Sequence, residues 1–348
     1  MATLIRYNSE DIVLDTAKIS TSTWADNTNN LTTSHTSSIQ SDESTATSQG
    51  AFYVDVYNQQ TGSISSSKEY SCAYGHRYGS GSLDFTNDTG SFGYSPTRWI
   101  YSQYRQLVFG DEAQYFTFDT TTPDDIWVIN VERKNYKHNL KPSSLNLVLS
   151  DGTTGIRLTD DFVTKSGSAT LTMCGRQFNI VSGASGVMSG STLSQTTAGS
   201  YGLFYPDAGF ILLNPGAISA SLVGDGTKSS LLNGIVSASS NWNCKNHWKL
   251  RNMISASKYF ILDSEEKLTS QYYFTRVKNS EFNYTGNPSY IDTTGTLRFD
   301  SMVDNPTTYI TTVGLYSDGG DLLAVAKLSK PLKKDFTKES LIKVKIDY

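Results

Sequence analysis

The 348-residue chain is expected to be mainly β with a few short helices, arranged as β-sandwich-like modules. Three observations predict this. First, hydrophobic residues make up only 37% and charged residues 18%, and the difference goes to Ser, Thr, Gly, Asn and Tyr. Hydroxyl and amide side chains compete with helical backbone hydrogen bonds, so this mix favours strands and turns. Second, short apolar–polar alternations recur along the chain, bounded by turn residues. Third, aromatic residues reach 12%, including 21 Tyr, which is enough to build a core between the polar stretches. The length suits two or three domains, and a division into 1–240 and 241–348 is expected.

In chain order, IVLDTAKIS (Ile12 to Ser20) reads as a strand. Thr21 to Gly50, rich in Ser, Thr, Asn and Asp, reads as a long exposed arm. AFYVDVYN (Ala51 to Asn58) is a strand with Phe52, Val54 and Val56 on one face and Tyr53, Asp55 and Tyr57 on the other. SPTRWIYSQYRQLVFG gives a helix near 96–109. Ser95 suits its cap and Pro96 its first position, while Ile100, Tyr104, Leu107 and Val108 form an apolar stripe that Gly110 ends. IWVINVERKNY (Ile126 to Tyr136) opens as a nearly continuous apolar run, and its length and β-branched content suggest a buried strand. Asp151-Gly152 turns a hairpin between Leu145–Ser150 and Ile156–Thr159. Val181 to Ser200 is a second low-complexity arm, read as a long excursion from a sheet. YGLFYPDAGFILLNP folds back at Pro206, Asp207 and Gly209, and SLLNGIVSAS (Ser230 to Ser239) suits a short helix.

From about Asn241 the pattern is purely β: KYFILD, QYYFTRVKN, TYITTVGLY, DLLAVAKL and LIKVKIDY. The last puts Ile342, Val344, Ile346 and Tyr348 on one face and Lys343, Lys345 and Asp347 on the other. Within this region Asn305 to Phe336 forms a hairpin turned at Asp318-Gly319-Gly320, with Val313, Leu315, Leu323, Val325 and Ala326 as packing positions.

The net charge is −4 and the isoelectric point about 5.6, so no basic field is available for a phosphate backbone and nucleic-acid binding is disfavoured. No run approaches the roughly 18 apolar residues of a membrane helix. The opening MATLIRYNSEDIVLD lacks a basic segment followed by an apolar one, so no secretory signal is expected. Cys72, Cys174 and Cys244 are too sparse for a disulfide framework and fit folding in a reducing cytoplasm.

No HExxH, GxSxG or Walker A pattern occurs. Gly224 to Ser229 (GDGTKS) has the wrong spacing for a phosphate loop and reads as a solvent turn. Cys244-Lys-Asn-His247 is half a zinc knuckle without a second pair of ligands. His76, beside Arg77 in CAYGHRYGSGS, reads as part of a turn with a polar aromatic cluster, since no nucleophile or orienting carboxylate can be chosen for it. The pairs Asp124-Asp125, Asp160-Asp161 and Glu265-Glu266 read as charges at strand and loop edges, with calcium left open. No catalytic, cofactor-binding or metal-ligating residue is therefore assigned, and no cofactor is expected. Tyr and Trp serve sugar grooves and protein interfaces alike. Core packing is the reading for Trp99, and an interface role for Tyr101, Arg105, Tyr205, Tyr309 and Tyr316.

SPTRWIYSQYRQLVFG, NIVSGASG, YGLFYPDAGFILLNP, QYYFTRVKNSEFNYTGNPSY and the hairpin core TTVGLYSDGGDLLAVAKL resemble segments of virion structural proteins of contractile-tailed bacteriophages, including those of marine cyanobacteria. The hairpin is similar to one in phage tail-fibre and baseplate proteins, where an "IGLYD-G-LLAVA" pattern recurs. The resemblance implies a non-enzymatic structural component of a phage tail, expected in the baseplate wedge and present in several copies. Its partners would be other tail and baseplate proteins, without nucleic acid or membrane. Its location would be the virion tail, and the host cytoplasm during assembly. Two alternatives stay open: a receptor-binding fibre or adhesin, with a host glycan as partner, and a neck or capsid-associated virion protein.

Overall fold

The computed structural model describes residues 4–37, 53–79, 96–222, 246–285 and 287–348, and it is mainly β, as the composition predicts. The strands are β1 (Ile12–Ser22), β2 (Tyr53–Tyr57), β3 (Lys68–His76), β4 (Asp125–Val131), β5 (Asn139–Leu140), β6 (Asn146–Ser150), β7 (Gly155–Asp160), β8 (Thr170–Thr172) and β9 (Gly175–Ala184). They continue with β10 (Val187–Met188), β11 (Gly202–Tyr205), β12 (Phe210–Leu213), β13 (Phe260–Ile261), β14 (Asp263–Val277), β15 (Thr308–Tyr316), β16 (Leu322–Lys334) and β17 (Ser340–Asp347). The helices are α1 (Pro96–Phe109), α2 (Pro215–Ser221), α3 (Asn246–Ser257) and the single turn α4 (Ser301–Asp304). None of the described helices is long and apolar enough to cross a membrane.

The chain forms two units, Ile19–Glu266 and Met1–Lys18 with Lys267–Tyr348. This division differs from the one expected near residue 240. Residues 246–266 belong to the larger unit because α3 packs Trp248, Leu250, Met253 and Ile254 into its core, and Phe260 and Leu262 follow them. The purely β reading beyond Asn241 is corrected by the same helix.

The larger unit holds an antiparallel sheet in the order β13-β6-β7-β9-β11-β12-β4-β3-β2, with β8 and β10 paired to β9. Its central strands are buried on both faces, which is why they read as unbroken apolar runs. In β4, Trp127, Ile129 and Val131 enter one core while Ile126 and Val128 enter the other. The hairpin β11–β12 divides likewise, with Phe204, Ile211 and Leu213 on the first side and Leu203, Tyr205, Phe210 and Leu212 on the second. Its turn places Gly209 at φ 76°, as read from the sequence.

Helix α1 covers the second core. Its buried positions are Thr97, Tyr101 and Val108, flanked by half-buried Ile100 and Tyr104, whereas Leu107 and Trp99 are exposed. The helix is thus rotated from the expected stripe, and Trp99 lies outside the core. A Cβ on Gly75 of β3 would stand 2.9 Å from the Tyr101 nitrogen, so the helix rests on the sheet where a side chain is missing. The expected Ser95 cap lies outside the described residues.

The two polar arms are corrected in part. Residues 38–50 of the first lie outside the described residues, but residues 21–37 are anchored. Trp24 is 1% exposed, packs edge-on against Phe260 at 4.8 Å and donates its indole N–H to the Phe260 carbonyl at 2.9 Å. The second arm is built into the sheet through β9 and β10, with Val181 and Ser200 buried and the Ser182 amide donating to the Gln195 side chain. Residues 230–239 lie outside the described residues.

In the smaller unit β14 pairs with β17, from Ser270↔Asp347 to Val277↔Ser340. The hairpin β15–β16 faces this pair across a core of Leu315, Ile342 and Val344, with Tyr273, Val313, Ala324, Ala326 and Leu328 packed around them. This is the sandwich-like packing expected. The alternation of β17 holds for Ile342, Val344 and Ile346, while Tyr348 is exposed.

Candidate interaction surface

The five interface residues nominated from sequence separate in the structure. Tyr101 and Tyr205 are core residues, a correction of the expectation. Tyr101 meets Phe116 at 5.3 Å edge-on, and Tyr205 stacks on Phe210 at 4.6 Å with its hydroxyl donating to Gln177 at 2.9 Å. Their phenol pKa values are raised by burial. Arg105 is half-buried along α1, 5.6 Å from the Tyr101 ring. Tyr309 and Tyr316 are exposed, at 59% and 48%.

Tyr316 belongs to a larger apolar face. The register of β15–β16 shifts between Leu315↔Ala324 and Tyr316↔Leu322, leaving Leu323 as an extra residue. Leu322, Leu323 and Val325 consequently lie outside the core, at 53%, 70% and 58% exposure, which corrects the assignment of Leu323 and Val325 as packing positions. Val325 stands opposite Gly314, and a Cβ on Gly314 would lie 3.0 Å from the Tyr316 ring and 3.4 Å from Leu322. Tyr316, Leu322 and Val325 therefore form one patch roofing the glycine. Sequence alternation missed it because a one-residue shift reverses the face of every following side chain.

Most of the chemistry-bearing residues singled out in the sequence are engaged in local contacts. His76 accepts from the Tyr78 amide at 3.1 Å, and Arg77 lies 3.6 Å over the Tyr115 ring, giving the polar aromatic cluster expected there. Asp125 accepts from the Tyr74 hydroxyl at 3.2 Å, and burial pushes its pKa up to about 6. Asp160 and Asp161 are fully buried, not edge charges. Asp160 accepts from the Ser143 and Phe162 amides, and Asp161 from the Asn179 amide and side chain and from Lys165 at 3.1 Å. Glu266 pairs with Lys137 at 3.0 Å and Glu265 is buried. Among the described residues no three His, Cys, Asp or Glu side chains stand close enough to share a metal ion. His247 is buried in α3, its pKa lowered to about 3 by desolvation; Cys244 and residues 224–229 lie outside the described residues. Comparison with protein-family models, characterised proteins and solved structures finds no match.

Proposed function

We propose that the chain is a structural component of a phage tail, placed in the baseplate and acting by protein–protein assembly. The observation that carries the assembly reading is the outward face of the β15–β16 hairpin. Its inner face is packed in the small-unit core, so the hairpin is held rigid while Tyr316, Leu322, Leu323 and Val325 stay in solvent. A rigid apolar patch with an aromatic member and no pocket is the chemistry of a permanent contact rather than of a reaction. The placement in a tail rests on the resemblance of this hairpin and of the four other segments to tailed-phage virion proteins.

The test is immunogold labelling of purified particles made by the phage that encodes the chain. Label at the baseplate is expected, with loss of the protein from particles when Val325→Asp and Tyr316→Asp are combined. Label at the neck or capsid would move the component, label on fibre tips would favour receptor binding, and a protein missing from particles would end the virion reading.

A further inference from the structure

A cleft of about 290 Å³ opens in the larger unit, between the Lys141–Asn146 turn, β7, the β9–β10 turn and the Tyr259–Asp263 segment. Its walls are tied together. The Lys141 amide donates to the Asp263 carbonyl at 2.8 Å, and the Asp263 amide to the Ser144 hydroxyl at 3.0 Å. The buried Asn146 side-chain oxygen accepts from Arg157 at 3.1 Å and from the Ser185 amide at 2.9 Å. Arg157 also donates through the same nitrogen to the Tyr259 hydroxyl at 3.1 Å, which fixes the guanidinium, and its other nitrogens make no hydrogen bond among the described residues.

Two features single this cleft out. Ser143 and Ser185, which both line it, have φ of 72° and 52°. Glycine is the default in that region, and a side chain there costs on the order of 1 kcal/mol. Both sit in turns that require this conformation: Ser143 follows Pro142 in a turn closed by the Ser144 amide on the Lys141 carbonyl, and exposed Ser185 shares the β9–β10 turn with Gly186 at φ 79°. The two turns bring two serine hydroxyls to the cleft, and neither makes a hydrogen bond among the described residues. In addition, neither Lys141 nor Arg157 has a carboxylate within salt-bridge distance among the described residues, so the two cations outnumber the one acid, Asp263, facing the same space.

We infer that this cleft binds a sugar acid: a carboxylate held by Arg157 and Lys141, with ring hydroxyls on Ser143, Ser185 and Asp263. The volume is at the low end of small-molecule sites, fitting one monosaccharide unit, and the wall is mostly polar with Ile261 and Tyr259 as its apolar part, fitting a sugar ring with its hydroxyls. The inference stands apart from the tail assignment and does not depend on it.

Titration calorimetry of the full chain with sodium D-glucuronate, D-glucose and inorganic phosphate tests it. Glucuronate is expected to bind in roughly the millimolar range, more tightly than glucose or phosphate. Arg157→Gln and, separately, Lys141→Gln should each weaken it about tenfold, the size of one charge-assisted contact. Tyr316→Ser should leave it unchanged. Lys141 makes no side-chain hydrogen bond among the described residues, so its variant remains usable if Arg157→Gln fails to fold. No binding of glucuronate overturns the inference. Phosphate binding as tightly as glucuronate would mean an adventitious ion only, and glucose binding equally well would remove the role of the cations.

Discussion

Replacing Trp24 by Ala should destabilise the larger unit by about 3–5 kcal/mol, the range for deleting a buried aromatic side chain. The ring is 1% exposed and lies against Tyr70 and Phe260, so nearly all its surface leaves water on folding. Burying about 200 Å² at about 25 cal/mol per Å² gives about 5 kcal/mol, the upper end of that range. The lost indole bond adds only about 1 kcal/mol, because the Phe260 carbonyl still accepts from the Leu31 amide at 2.9 Å and is not orphaned. Trp24→Phe keeps most of the ring and should cost about 1–2 kcal/mol. All five tryptophans fall within Ile19–Glu266, so urea unfolding followed by tryptophan fluorescence reports that unit alone. Hydrogen exchange supplies the second readout: the Thr23, Leu31 and His35 amides, bonded to Leu262, Phe260 and Tyr57, should lose protection in Trp24→Ala. If Trp24→Ala unfolds within 1 kcal/mol of the parent, or those amides exchange freely in the parent, residues 21–37 are not anchored by this ring.

Three further outcomes are expected. Gly320 has φ 87° with open space around its Cβ position, so Gly320→Val should cost about 1–2 kcal/mol through backbone strain. Gly319, not in that region, should accept Ala with little change; equal melting of the two variants would contradict the turn. Lys334 is fully buried and donates to the Asn279 carbonyl (2.9 Å), the Asn283 side chain (2.9 Å) and the Asp335 carbonyl (3.0 Å), so Lys334→Met should cost about 2–4 kcal/mol, read by calorimetry of the whole chain. Glu69 is buried, and desolvation pushes its pKa up to about 7 against the donors Ala25 and Asn135. The native state therefore holds a proton that the unfolded state has released between about pH 4.5 and 7, and Glu69 weakens the fold as pH rises through that window. Glu69→Gln should gain stability relative to the parent from pH 5 to pH 8, and a gap that stays flat would refute the shift.

Strands were legible wherever burial followed the chain's own period. The run Ile126 to Val131 shows burial on both faces because both faces meet a core, and the hairpins at Asp151-Gly152 and Gly209 carry their turns in their residues. Helix α3 was not legible, since its buried residues include Asn246, His247 and Lys249, which break the apolar stripe that marks a helix in sequence. The arm from Thr21 was misread because its apolar anchors are only Trp24 and Leu31, set among hydroxyls and amides. The cleft gave no local signal: its residues come from four segments between Lys141 and Asp263, and what distinguishes Ser143 and Ser185 is backbone conformation, which spacing does not encode.

The hairpin near the C-terminus joins these lessons to function. Its alternation correctly placed Leu315 inward, where it is 6% exposed beside Ile342 and Val344. Carried past the turn without interruption, the same alternation would have sent Leu323 and Val325 inward as well. The bulge at Leu323 reverses them, and apolar residues that would have completed a core become a surface. A monomer gains nothing from holding Leu323 and Val325 in water. Leu315→Asp and Val325→Asp therefore separate the two faces. The first buries an unpaired charge and should melt the small unit, at a cost of several kcal/mol. The second should leave melting within about 0.5 kcal/mol of the parent, as surface changes do, and abolish incorporation into particles. If Val325→Asp unfolds the unit instead, the outer face is packed within the chain, and the assembly reading loses the observation that carries it.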